Sequence, residues 1–163
     1  MTVASRVAVM DHGKLIQIAT PDAIYETPNS TYVADFIGDV NIIRSTSTPT
    51  ETGITLAWAD AQTDLTAKTE HSFNKGDTAY LAIRPEKIAI TADEPKGRDN
   101  AVQGKVLDIA YLGNISTYHV ELPGGQIIKA QTANTDRISR RDFTWEQPVW
   151  LSWTDTAGVV LSR

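Results

Sequence analysis

The chain contains no cysteine. That excludes a disulfide framework, a thiolate nucleophile and a Cys-ligated zinc, and it is compatible with a reducing compartment. No stretch reaches the roughly 20 apolar residues that a membrane-spanning helix needs. Residues 1–14 (MTVASRVAVMDHGK) have only a short apolar run with no basic stretch ahead of it, so they do not read as a signal peptide. Basic residues are the minority, 15 Lys and Arg against 20 Asp and Glu, for a net charge of -5. Phosphate-backbone binding needs the opposite balance, so nucleic acid is not an expected partner. His12, His71 and His119 stand singly, without metal-ligand spacing. There is no GxxxxGK(S/T) phosphate loop, no GxSxG elbow and no HExxH pair. No catalytic, cofactor-binding or metal-ligating residue is therefore expected. What is present, 163 residues at 41% hydrophobic content, suffices for one medium domain or two small ones.

The first forty residues differ from the rest. Residues 6–10 (RVAVM) form a short apolar run, a turn follows at Asp11, His12 and Gly13, and residues 14–18 (KLIQI) alternate, which predicts a hairpin. Thr20, Pro21 and Asp22 give a helix start: a hydroxyl cap, a proline where no N–H is missed, and an acid in the first turn. Pro28 ends that helix. Asn29 or Ser30 caps a second one carrying Val33, Phe36 and Ile37 at helical spacing, closed by Gly38. A hairpin and two small helices cannot bury their own apolar faces, so Val7, Val9, Ile16, Ile18, Val33, Phe36 and Ile37 are expected to face a part of a larger domain that is not present. The division falls at residues 1–40 and 41–163, with a net charge of -3 on the shorter part and -2 on the longer.

Beyond residue 40 the pattern is β. Residues 54–58, 78–83, 87–91, 102–111, 116–122, 126–132, 148–153 and 158–162 read as short strands between turn residues. Pro123, Gly124 and Gly125 mark a hairpin. Many short strands with no long helical period between them predict a small barrel. No internal repeat is evident. Three features rise above this background. Arg84, Pro85 and Glu86 form a rigid corner between strands, read either as a turn braced by an ion pair or as a contact point for another domain or subunit. Tyr111, Leu112, Gly113 and Asn114 form a tight corner. Trp145, Trp150 and Trp153 cluster near the C-terminus, with Trp150 and Trp153 on opposite faces of one strand.

These residues resemble a known family. Residues 1–41 resemble the end of the nucleotide-binding domain of ABC importer ATPases, just past the segment that holds their switch histidine. RPEKI, the AYLGN corner and the final VVL resemble the TOBE domain, the OB-like regulatory module at the C-terminus of those subunits. IAYLGNISTYHVEL, GQIIKAQ and FTWEQPVWLSW look most like the ATPase subunit of putrescine or spermidine importers. The resemblance implies a mainly β fold, an OB-like barrel over 41–163 preceded by a short α/β remnant over 1–40. The family's catalytic motifs would lie upstream of Met1, so it implies a non-catalytic regulatory and dimerisation region, with ATP and Mg belonging to the parent subunit. It further implies pairing with a twin in the parent, permease subunits, a periplasmic binding protein, and a cytoplasmic position against the inner membrane face. The uncovered apolar residues of the N-terminal part predict a homodimer of this chain in which those elements pair or exchange between copies. Interface candidates are Arg84, Glu86, Tyr111, Trp145, Val33, Phe36 and Ile37. Glu146, Gln147 and Pro148 stand where the family has a Gly-acid turn. The alternative is a small-ligand module sensing a polyamine through carboxylates such as Glu86, Asp108 and Glu121, or an oxyanion.

Overall fold

The computed structural model describes residues 3–135 and 142–163. Strands β1 (Val7–Asp11) and β2 (Lys14–Ala19) form an antiparallel hairpin. His12 (φ 45°) and Gly13 (φ 76°) both take positive φ, the requirement of the tight turn that matches strand twist. Helix α1 (Pro21–Glu26) starts on extended Thr20, but that hydroxyl makes no cap bond. It bonds the Asp22 carboxylate instead and holds its pKa below the ordinary value. In α2 (Thr31–Ile37) the cap is Ser30, whose Oγ accepts from the Val33 N–H at 3.3 Å.

Hairpin and helices close on a core of their own, contrary to the expectation of an unburied face. Val9, Ile24 and Val33 are fully buried there, with Val7, Ile16, Ala19 and Ile37 packed against them. Val33 is therefore not an open interface residue. Two helices laid on one face of a two-stranded ribbon suffice, because the inward apolar positions are few and alternate with outward ones. Only the outward residues stay uncovered: Phe36 is 63% exposed, and Met10, Leu15 and Ile18 are also exposed.

The remaining strands are β3 (Asn41–Pro49), β4 (Ile54–Ala57), β5 (Leu65–Ala67), β6 (Thr78–Ile83), β7 (Ala89–Thr91), β8 (Asn100–Tyr111), β9 (Ile115–Glu121), β10 (Ile127–Ala133), β11 (Pro148–Trp153) and β12 (Val159–Leu161). They build two antiparallel five-stranded sheets, ordered β12-β6-β3-β4-β5 and β10-β9-β8-β11-β7. The inward side chains of both sheets form one core, including Leu56, Leu81, Val120, Leu151 and Trp153. Full burial of each such side chain stabilises the fold by about 1.5–3 kcal/mol. Tight spots fix two glycines: a Cβ on Gly104 would lie 2.6 Å from the Glu121 carbonyl, and one on Gly53 2.4 Å from that of Ala67.

The topology repeats, although no repeat is evident in the residues. β3 through β7 and β8 through β12 follow the same path: a three-strand meander, a strand returning beside the first, and a last short strand given to the other sheet. The registers agree, since Thr46 lies opposite Ala57 and Thr78 while Lys105 lies opposite Glu121 and Pro148. Asparagine opens both repeats and does the same work. Asn41 Nδ2 donates to the Lys129 carbonyl and its Oδ1 accepts from the Lys129 N–H, both at 2.8 Å. Asn100 joins Thr66 likewise, at 2.9 and 2.8 Å. Lys129 and Thr66 lie on the edge strands β10 and β5. Each amide thus continues a sheet edge as a backbone would, and ties it to the first strand of the opposite repeat.

Candidate functional site at the seam

Arg84 leaves β6 in an extended conformation, and Pro85, Glu86 and Lys87 turn as a 3-10 helix. The corner aims the Arg84 side chain back at the N-terminal segment. Its Nη1 donates to the carbonyls of Ala34 (2.9 Å), Gly38 (2.9 Å) and Asp39 (3.1 Å). Carbonyls at a helix end lack intrahelical donors, so a cation there meets both hydrogen-bonding need and partial negative charge. The guanidinium also lies over the Tyr25 ring, 4.3 Å from its centroid. Arg84 is only 6% exposed, and its Nη2 is buried without a partner.

Smaller contacts flank this bolt. The Tyr25 hydroxyl donates to Glu86 Oε1, and Lys87 Nζ pairs with Glu26 at 3.2 Å. Lys129 pairs with Asp39, and the Thr31 N–H donates to the Arg163 carbonyl at 2.8 Å. Burial, with the hydrogen bond and charge of Glu86, pushes the Tyr25 pKa up to about 12 against the opposing effect of Arg84. Beneath them Ala34, Ala82 and Leu161 are buried together. Glu86 is thus engaged by Tyr25, and no Arg84–Glu86 ion pair occurs among the described residues.

The other expected residues lie elsewhere. Ile37 packs within the N-terminal core, and Phe36 stacks on Tyr32 at 5.8 Å outside it. The Tyr32 hydroxyl donates to the Met10 carbonyl, so Met10, Tyr32 and Phe36 share one outer face. Tyr111 is half exposed at the end of β8, before a corner where Gly113 takes φ 84° and Asn134 bonds the carbonyl of Gly113. Trp145 is half exposed, next to the Glu146 N–H that bonds the Val106 carbonyl at 2.7 Å. Glu146 takes φ 62°, the conformation a glycine would adopt freely. Trp153 is in the core and Trp150 partly buried. The carboxylates weighed for a polyamine are dispersed. Glu86 serves Tyr25, Asp108 accepts from the Ile109 N–H, and Glu121 faces Lys105 across the ladder. Among the described residues no group of three or more Asp, Glu or His could hold a metal ion. Sequence reasoning missed Tyr25 and the carbonyls of Ala34, Gly38 and Asp39, since their only signal is proximity to an Arg-Pro corner distant in sequence.

Residues 81–161 match the TOBE domain, and the chain carries a domain of that family. Over 99% of its length the chain is 38% identical to the putrescine transport ATP-binding protein PotG of Escherichia coli K12, and 36% identical to the spermidine/putrescine import ATP-binding protein PotA of Nitrosomonas eutropha. It spans 43% and 45% of those proteins, less than half of each. Among solved structures, the cytoplasmic molybdate-binding protein ModG with molybdate bound superposes with a TM-score of 0.61 at 10% identity, covering 74% of this chain and 94% of that one. That likeness establishes the mainly β, OB-like fold.

Proposed function

We propose that this chain is the C-terminal part of the ATP-binding subunit of a polyamine importer, with residues 41–163 as its regulatory domain and residues 1–40 as the edge of its nucleotide-binding domain. One observation carries this reading: the likeness to PotG and PotA runs over the hairpin and helices as well as the barrel. The outer face of Met10, Tyr32 and Phe36 supports it, since such an apolar face suits further packing. In this reading ATP and Mg bind in the remainder of the subunit, the subunit pairs with a second copy, and it joins permease subunits served by a periplasmic binding protein. No helix among the described residues is long and apolar enough to cross a membrane. In this reading attachment at the cytoplasmic face runs through the permease.

The experiment is a chimera in which this chain replaces the aligned 43% of PotG. The chimera is expected to co-purify with the permease subunits from membranes. A folded chimera that stays wholly unassembled contradicts the reading. The alternative is small-ligand sensing by the barrel, an oxyanion by analogy with ModG or a polyamine through carboxylates such as Glu86, Asp108 and Glu121. Calorimetry of the chain with putrescine, spermidine and molybdate tests it, and no heat with any of the three removes it.

A further inference from the structure

We propose that Arg84 is a releasable latch: the N-terminal segment swings off the barrel as a unit about residues 38–40, with both cores intact. Three observations carry this. First, the two bodies are cored separately. Val9, Ile24 and Val33 close one core, the strands of both large sheets close the other, and a third cluster, Ala34, Ala82 and Leu161 with Val40, Tyr80 and Val159 packed against it, spans the seam. Two of the three buried members of the seam cluster are alanines, which offer less apolar surface than Val9, Ile24 and Val33.

Second, among the described residues Arg84 is the one deeply buried charge at the seam, and it is under-satisfied. Its three acceptors are main-chain carbonyls reached by Nη1, no described carboxylate pairs with it, and Nη2 has no partner. A buried unpaired donor is costly, and a buried guanidinium without a counter-charge gains more from rehydration than a paired one. Opening returns Nη2 and the three carbonyls to water. Third, the flanking ion pair Lys87–Glu26 is exposed, and exposed pairs hold weakly. The seam therefore gives way before either core does. This inference concerns the isolated chain and stands or falls independently of the importer reading.

Absence of native cysteine allows a clean distance measurement. Spin labels on cysteines introduced at Lys14, at the hairpin tip, and Thr48, on β3, report the separation of the two bodies in the full chain. The parent chain is expected to give one dominant narrow distance. Arg84→Met should add a longer, broader population of about a tenth of the molecules or more, while the near-ultraviolet tryptophan bands, to which buried Trp153 contributes with the three other tryptophans of residues 41–163, stay unchanged. Lys87→Met should leave the narrow distance dominant. An unchanged distance in Arg84→Met overturns the latch, as does a broadening that appears only with loss of the tryptophan signal. Should Arg84→Met fail to fold, the parent chain is titrated with urea. Broadening before the tryptophan signal falls supports the latch, and a single coincident transition overturns it.

Discussion

Arg84 carries its charge into the interior for the sake of backbone carbonyls. Tyr25, beneath the guanidinium, takes its acidity from burial and from Glu86, with Arg84 opposing. With its pKa raised from 10.0 to about 12, the neutral phenol is favoured in the folded chain, so the stability it contributes is complete below pH 10 and is lost as pH rises through 12. Glu86→Gln keeps the shape and removes the nearest negative charge. Ultraviolet titration of tyrosinate should then show Tyr25 ionising at lower pH, and an unchanged curve would mean that Glu86 does not act on it. A second residue-scale prediction concerns Glu146. Left-handed backbone costs an L-residue about 1–2 kcal/mol, more when branched at Cβ. Glycine is spared that cost but loses about 0.5–1 kcal/mol of chain entropy. Its exposed pair with Lys105 at 3.0 Å contributes about 0–1 kcal/mol. Urea unfolding should thus place Glu146→Gly within about 1 kcal/mol of the parent, and Glu146→Val lower than both.

At the scale of elements, the two asparagines do what no single strand does: each secures the free edge of one sheet to the other repeat. Asn41→Ala and Asn100→Ala each leave a main-chain N–H and C=O on an edge strand without a partner, and each should lower unfolding free energy by about 1–3 kcal/mol. The check is urea denaturation followed by circular dichroism, and a variant as stable as the parent would remove its asparagine from this role. The same elements explain what was legible in the sequence. Strands with apolar alternation, such as β6 (TAYLAI) and β11 (PVWLSW), are plain from residue type. β3 is not, because its inward positions are Asn41, Ile43, Ser45 and Ser47. Its buried hydroxyls bond the carbonyls of Ala79 and Asn74 at 3.0 and 2.8 Å, so polar residues serve at core positions. β5, three residues long, is too short for a period. The repeat is hidden for a related reason: topology and register recur, while Ser45 answers to Gly104 and Thr46 to Lys105. Of the seam, the Arg84-Pro85-Glu86 corner is visible in sequence, but its acceptors are carbonyls and carry no side-chain signature.

The whole molecule is a double-repeat barrel with a small, separately cored segment bolted to one corner. Acidity is greatest on that segment, which also presents the exposed Phe36 and Met10. In the proposed parent the barrel pairs with its twin, and light scattering at micromolar concentration should find a dimer of this chain. A monomer would remove self-association from its role. The central claim, that this chain serves as the C-terminal part of a polyamine importer's ATP-binding subunit, is tested most directly by transport. Bacteria lacking PotG are supplied with the chimera described above, and uptake of labelled putrescine is measured. The account predicts energy-dependent uptake restored by the chimera and abolished when this chain is deleted from it. A chimera that accumulates, assembles and hydrolyses ATP but imports no putrescine would contradict it.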